Sequence, residues 1–143
     1  RLASPFGIRA RAGWTRQVQR SDALRAAWES CRDRMPASFE AFCEAVIGWD
    51  VLPVCVSGQV VGAVLQKGPE LHACIKPEGF GRWLSKRVLR DTIDATLKRY
   101  GHVITKVQDG NAIGDIFVRR LGFVQMSVAD GIVTYRLEAT HGN

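Results

Sequence analysis

The stretch IKPEGFGRWLSKRVL, residues 75–89, sets Pro77 and two glycines, Gly79 and Gly81, between a β-branched run and a basic segment whose apolar positions recur at helical spacing. Residues without side chains let a tight turn bring its amides close to a partner, and the first turn of a helix adds partial positive charge. A strand-to-helix turn is expected here. It can serve as a plain connection or as a cradle for a phosphate, and a lone Gly-x-Gly does not choose between them.

Upstream, VLPVCVSGQVVGAVLQKGPELHACI (51–75) is apolar and β-branched, interrupted by Ser57-Gly58 and Gly68-Pro69. Three strands joined by short turns, and so antiparallel, follow from that pattern. Earlier still, Pro36 separates two helical segments. Ser21 or Asp22 can cap residues 22–35, with Leu24, Trp28 and Cys31 on one face; Ser38 can cap residues 39–49, with Phe39, Phe42 or Cys43, and Val46 as the stripe. WTRQVQ (14–19) alternates as a short strand does. Residues 1–12 read as a basic N-terminal arm, followed by one domain over 13–143.

Downstream, Leu84, Val88, Leu89, Ile93, Leu97 and Tyr100 form the inward face of a helix expected from Arg82 to Tyr100, which Gly101 ends. HVITKVQ (102–108) is a strand, Asn111 can cap a helix over 112–121, and residues 123–139 form a hairpin turning at Asp130-Gly131. The order is strand, two helices, three strands, helix, strand, helix, two strands. This predicts an α+β domain with a mixed sheet of six or seven strands and about four helices.

At 143 residues, 46% hydrophobic and 24% charged, the chain can bury a core without metal or disulfide support. Cys31, Cys43, Cys55 and Cys74 lack metal-ligand spacing and read as reduced, mostly buried thiols, so no metal is expected. The net charge of +6 favours anionic partners. Five arginines and no acid fall in residues 1–20, yet the basic segments lack aromatic interleaving, and nucleic acid is set aside as a partner. No apolar run approaches the ~20 residues of a membrane span. A soluble, cytoplasmic protein without a membrane partner is the expectation.

The element order and two local patterns resemble the GNAT superfamily of acyl-CoA N-acyltransferases over about residues 14–138. Lys76-Pro77-Glu78-Gly79-Phe80-Gly81 is similar to that family's Arg/Gln-x-x-Gly-x-Gly/Ala turn, with Lys76 in the first place. Asn111, Gly114, Phe117, Val118 and Leu121-Gly122-Phe123 are similar to its second signature. The resemblance implies acetyl-CoA as co-substrate, its pyrophosphate held by the amides of Gly79, Phe80, Gly81, Arg82 and Trp83. Lys76 and Asn111 belong to the same cofactor side, and Arg82 or Lys86 would supply charge. It further implies direct attack of a primary amine on the thioester, without a covalent enzyme intermediate. Glu70 or His72, on the strand before the turn, is the candidate base, and Tyr135 a candidate proton donor.

Two departures stand beside the likeness. Pro77-Glu78 runs straight into Gly79-Phe80-Gly81, which implies a shortened loop. Val118 occupies the place where many members carry the Tyr that protonates the departing thiolate, and neither Val118 nor Phe117 has a proton to give. The eroded signature also resembles GNAT-like proteins of tailed phages, some of them internal virion proteins. The alternative it implies is a catalytically degraded structural or interaction protein, partnered by virion proteins in the host cytoplasm or the virion.

Overall fold

The structure is a computed structural model that describes residues 8–140, with side chains from residue 20 onward. Residues 1–7 of the expected basic arm lie outside the described residues. The helices are α1 (Ile8–Cys31), α2 (Phe39–Ala45), α3 (Lys86–Leu89), α4 (Ala95–Tyr100) and α5 (Ala112–Arg120). A π-helical segment, Arg90–Asp94, joins α3 to α4 without a break, so the pieces make four helical bodies. The strands are β1 (Asp50–Val56), β2 (Gln59–Lys67), β3 (Glu70–Ile75), β4 (His102–Gln108), β5 (Val124–Ala129) and β6 (Ile132–Glu138), ordered β1-β2-β3-β4-β6-β5 in one mixed sheet. The α+β class holds, with six strands rather than seven. The strand expected over 14–19 is part of α1 instead. Six alternating residues are too few to impose a strand, and the Arg, Ala and Gln around them are good helix formers.

Two compact units divide the chain, one running to Leu65 and resuming over Ala73–Trp83, the other made of Gln66–His72 and Leu84 onward. In the first unit the core seam is Ala23, Ala27 and Cys31 of α1 against Phe42, Val46, Ala63 and Leu65. Leu24 and Trp28, expected to lead that face, pack at its edge. The spacing of four residues stacks the small side chains in a line, which lets the helix approach the strands closely. Ser38 caps α2 as expected, accepting from the Ala41 amide at 3.0 Å. Arg25 lies 4.1 Å over the Phe39 ring, so this aromatic closes the edge rather than the centre of the core.

In the second unit β4 and β6 pair antiparallel from His102↔Glu138 to Gln108↔Ile132, and β3 meets β4 in parallel at Glu70↔Ile104. Val103, Thr105, Val133 and Tyr135 are the buried face of this sheet, and α5 packs on it. Residues one position along each strand alternate to the other face. Asp130, at φ 53°, and Gly131, at φ 76°, form the expected hairpin turn between β5 and β6. Buried Thr96 accepts from Gln66 Nε2 at 2.9 Å, fastening α4 to the end of β2. Within the π segment the Thr92 hydroxyl donates to the Val88 carbonyl at 2.6 Å, while the Ala95 amide reaches back to Arg90.

Candidate functional site

The turn after β3 is longer than its sequence suggested. β3 ends at Ile75, Pro77–Gly79 is one turn of 3-10 helix, and α3 does not begin until Lys86, where Ser85 caps it by accepting from the Val88 amide at 3.1 Å. The helix expected from Arg82 is corrected by this cap. Arg82 and Trp83 stay in the turn because their amides fold back onto the Gly79 carbonyl at 3.1 and 3.0 Å. The Gly79 amide donates to Lys76 O at 2.9 Å and the Phe80 amide to Pro77 O at 3.0 Å. Of the amides assigned to a pyrophosphate, only that of Gly81 makes none of the turn's backbone bonds among the described residues.

Each glycine has its own reason. A Cβ on Gly79 would lie 2.8 Å from a Val61 methyl and 2.9 Å from one of Ile75, so the turn can seat itself on β2 and β3 only without a side chain there. Gly81 is exposed, sits at φ 78°, and a Cβ on it would meet nothing within 4 Å. The turn's cations are engaged locally. Lys76 Nζ is 3.4 Å from Glu29 and 3.6 Å from Glu78, and Arg82 donates to Ser57 Oγ at 2.8 Å.

In the second unit Glu70 and His72 are brought together. Two residues apart on β3, they share a face, and His72 Nε2 lies 2.5 Å from Glu70 Oε2. Lys106 Nζ of β4 reaches the same carboxylate oxygen at 3.8 Å, brought there by the register that sets Glu70 beside Ile104. About a quarter of each partner in the His72–Glu70 pair is exposed, and half of Lys106. Sequence reasoning missed Lys106 because strand register is not written locally.

Tyr135 is elsewhere. Its hydroxyl donates to Asp115 Oδ1 of α5, whose carboxylate also accepts from Arg119 Nε at 2.9 Å, while the Arg119 guanidinium lies 5.5 Å over the Tyr135 ring. The bond from Tyr135, followed by that from Arg119, holds the Asp115 carboxyl below the usual range, and burial pushes the Tyr135 phenol up. The four-residue spacing of Asp115 and Arg119 was readable as a helix pair; their link to Tyr135 was not. Asn111 caps α5, accepting from the Gly114 amide at 3.1 Å, and so spends its side-chain oxygen on the helix. Val118 is buried in α5. Among the described residues no cluster of His, Cys, Asp and Glu could hold a metal ion, and no helix is long and apolar enough to cross a membrane.

The cysteines divide by position. Cys31 is buried and Cys74 packs against the same core, where burial, with the nearby Cys31 second, pushes the Cys74 thiol up to about 12. Cys55 is exposed, against the expectation of mostly buried thiols, because it falls on the outward side of the edge strand β1.

No protein-family model and no curated protein matches the sequence. Solved structures do match the fold. The S18-alanine N-acetyltransferase of Escherichia coli is 17% identical over 84% of this chain and 92% of its own, with a TM-score of 0.60. The PaiA N-acetyltransferase of Thermoplasma acidophilum, in complex with coenzyme A, is 12% identical over 85% and 92%, with a TM-score of 0.59. A GNAT-family acetyltransferase of Elizabethkingia anophelis with acetyl-CoA bound is 10% identical over 73% and 85%, at 0.55. The chain has the fold of GNAT acetyltransferases.

Proposed function

We propose that this chain is an N-acetyltransferase that moves an acetyl group from acetyl-CoA to a primary amine, with His72 as general base. The observation that carries the reading is the imidazole of His72 held 2.5 Å from the Glu70 carboxylate on a central strand. A base must accept a proton from the incoming ammonium, and a carboxylate held against the ring orients the imidazole and stabilises the imidazolium that results. The amine nitrogen then attacks the thioester carbonyl, its second proton passes to solvent as the amide forms and the C–S bond breaks, and coenzyme A leaves as a thiolate. Water supplies the thiolate's proton, since Val118 has none to give and the Tyr135 hydroxyl is bonded to Asp115.

For acetyl-CoA, the Gly81 amide is the group of the turn available to its phosphates. Recruiting the other turn amides requires the bonds on Gly79 O, Lys76 O and Pro77 O to open first. The test is a thermal shift with acetyl-CoA followed by a thiol-release assay on a panel of amines. Acetyl-CoA at about 100 times its dissociation constant should stabilise the chain by about 2.7 kcal/mol. No shift at millimolar acetyl-CoA sinks the proposal.

A second reading, a GNAT-fold scaffold that works by its surfaces as an interaction or virion component, is favoured by those occupied turn amides. It calls for no acetyl-CoA response at all.

A further inference from the structure

Lys106 sits on β4, a central strand with β3 on one side and β6 on the other, yet its side chain is half exposed. The register that sets Glu70 beside Ile104 puts Lys106, two residues further on, on the face that Glu70 and His72 share. Its Nζ lies 3.8 Å from Glu70 Oε2, and the same oxygen lies 2.5 Å from His72 Nε2. A primary amine and an imidazole therefore meet on one carboxylate oxygen. Lys76, by contrast, is held between the carboxylates of Glu29 and Glu78 in the other unit, and Lys98 stands exposed on α4.

We propose that Lys106 is a site of self-acetylation, its Nζ being an amine that His72 of the same chain deprotonates and that then takes the acetyl group of a thioester. The inference rests on His72 acting as a base, as in the transfer to free amines. An alkylammonium has no lone pair with which to attack a carbonyl, so loss of a proton to a nearby base is the first requirement. The flexible four-carbon stem of a lysine lets the amine leave the carboxylate and reach a carbonyl without moving the strand. An amine already held beside the base also avoids the entropy cost of bringing in a second molecule. One ammonium proton passes to His72, the Nζ lone pair forms the C–N bond, the C–S bond breaks, and the second proton goes to solvent as the amide forms. The thiolate takes its proton from water. The product is uncharged, so acetylation removes a cation from the Glu70 carboxylate.

Peptide mass spectrometry of the full chain, incubated with acetyl-CoA and separately with a small acetyl thioester that lacks the nucleotide, tests this. With at least one donor Lys106 should be acetylated at least about tenfold faster than exposed Lys98, a modest share of what a positioned base is worth. The rate should not depend on protein concentration. His72→Gln should bring Lys106 down to the rate of Lys98. Should that variant fail to fold, the parent chain in denaturant takes its place, and there Lys106 should lose its lead. Equal rates at Lys106 and Lys98 with both donors overturn the proposal, as does a lead that survives His72→Gln or unfolding, or a rate that rises with protein concentration. The two donors keep the failures apart. Preferential labelling of Lys106 by the small thioester without an acetyl-CoA thermal shift overturns the acetyl-CoA reading alone, whereas turnover of free amines with Lys106 unmodified overturns self-acetylation alone.

Discussion

His72 of β3 and Tyr135 of β6 point to opposite faces of the sheet that carries both. Glu70, two residues before His72, is registered with Ile104, and Ile104 with Arg136, the neighbour of Tyr135. Partners across a ladder share a face while neighbours along a strand do not. The candidate base and the candidate acid therefore belong to separate clusters, His72–Glu70–Lys106 and Tyr135–Asp115–Arg119.

Substitutions should separate along that line. In the acetyl-transfer assay, His72→Gln should lower kcat by about 10²–10⁴, the usual worth of a positioned base. Glu70→Gln should lower it less, with KM for acetyl-CoA unchanged. Lys106→Met should cost under about fivefold, because a half-exposed pair at 3.8 Å contributes at most about 1 kcal/mol. Tyr135→Phe should leave kcat within about twofold, since a residue on the other face takes no part in the proton transfer.

Tyr135→Phe should instead alter the response to acid. The folded-state pKa of Asp115 is lowered, chiefly by the bond from Tyr135. Its contribution to stability is therefore complete above the ordinary carboxylate range and disappears as pH falls through the lowered value. Removing the hydroxyl should shift the acid-unfolding midpoint to higher pH. Tyr135 itself, raised above its ordinary 10.0 mainly by burial, contributes stability that is lost as pH rises beyond that value, and the variant should lose this alkaline slope too. Circular dichroism between pH 2 and 11 would read both limbs.

The two glycines of the turn should respond differently to alanine. At Gly79 the new methyl must push β-branched side chains of Val61 and Ile75, and overpacking of that kind costs about 1–3 kcal/mol. At Gly81 there is room, and the cost is the left-handed backbone alone, about 1–2 kcal/mol. Denaturant melts give the two costs. A bulkier Gly81→Val should in addition weaken the acetyl-CoA thermal shift, whereas Gly79→Ala should leave that shift in place once the loss of stability is subtracted.

Thiol titration should follow burial. Native protein at pH 8 should show fast reaction at exposed Cys55, while Cys74, with its thiol pushed up to about 12, reacts only on unfolding. Because that value lies above the ordinary 9.0, the buried thiol's contribution to stability is present below pH 9 and lost above it. Fast labelling of Cys74 in folded protein would contradict the core packing.

Much of the fold is legible in short windows. Ser38 before its helix, Gly101 after α4, Asn111 at the head of α5 and Asp130-Gly131 between β5 and β6 act on backbone groups within four residues of themselves, so their sequence context is their structural context. The change from a helical pattern to a β-branched apolar run beyond Asp50 marked β1 for the same reason. Where windows misled, a distant partner was in charge. Leu24 and Trp28 are the larger apolar residues of their helix, yet close approach to the strands puts Ala23 and Ala27 at the seam.

The site divides in the same way. That Glu70 and His72 share a face is written in their spacing of two. That Lys106 completes their cluster depends on the parallel register between β3 and β4, set by the whole sheet. Gly79-Phe80-Gly81 declared a turn, but whether its amides face outward or close on one another depends on how the turn beds against Val61 and Ile75. Tyr135 could be named from its strand, and only the packing of α5 decided that its proton goes to Asp115. Periodicity and capping are properties of neighbours in the chain; register, burial and hydrogen-bond partners arise when distant segments compete for the same space and the same polar groups.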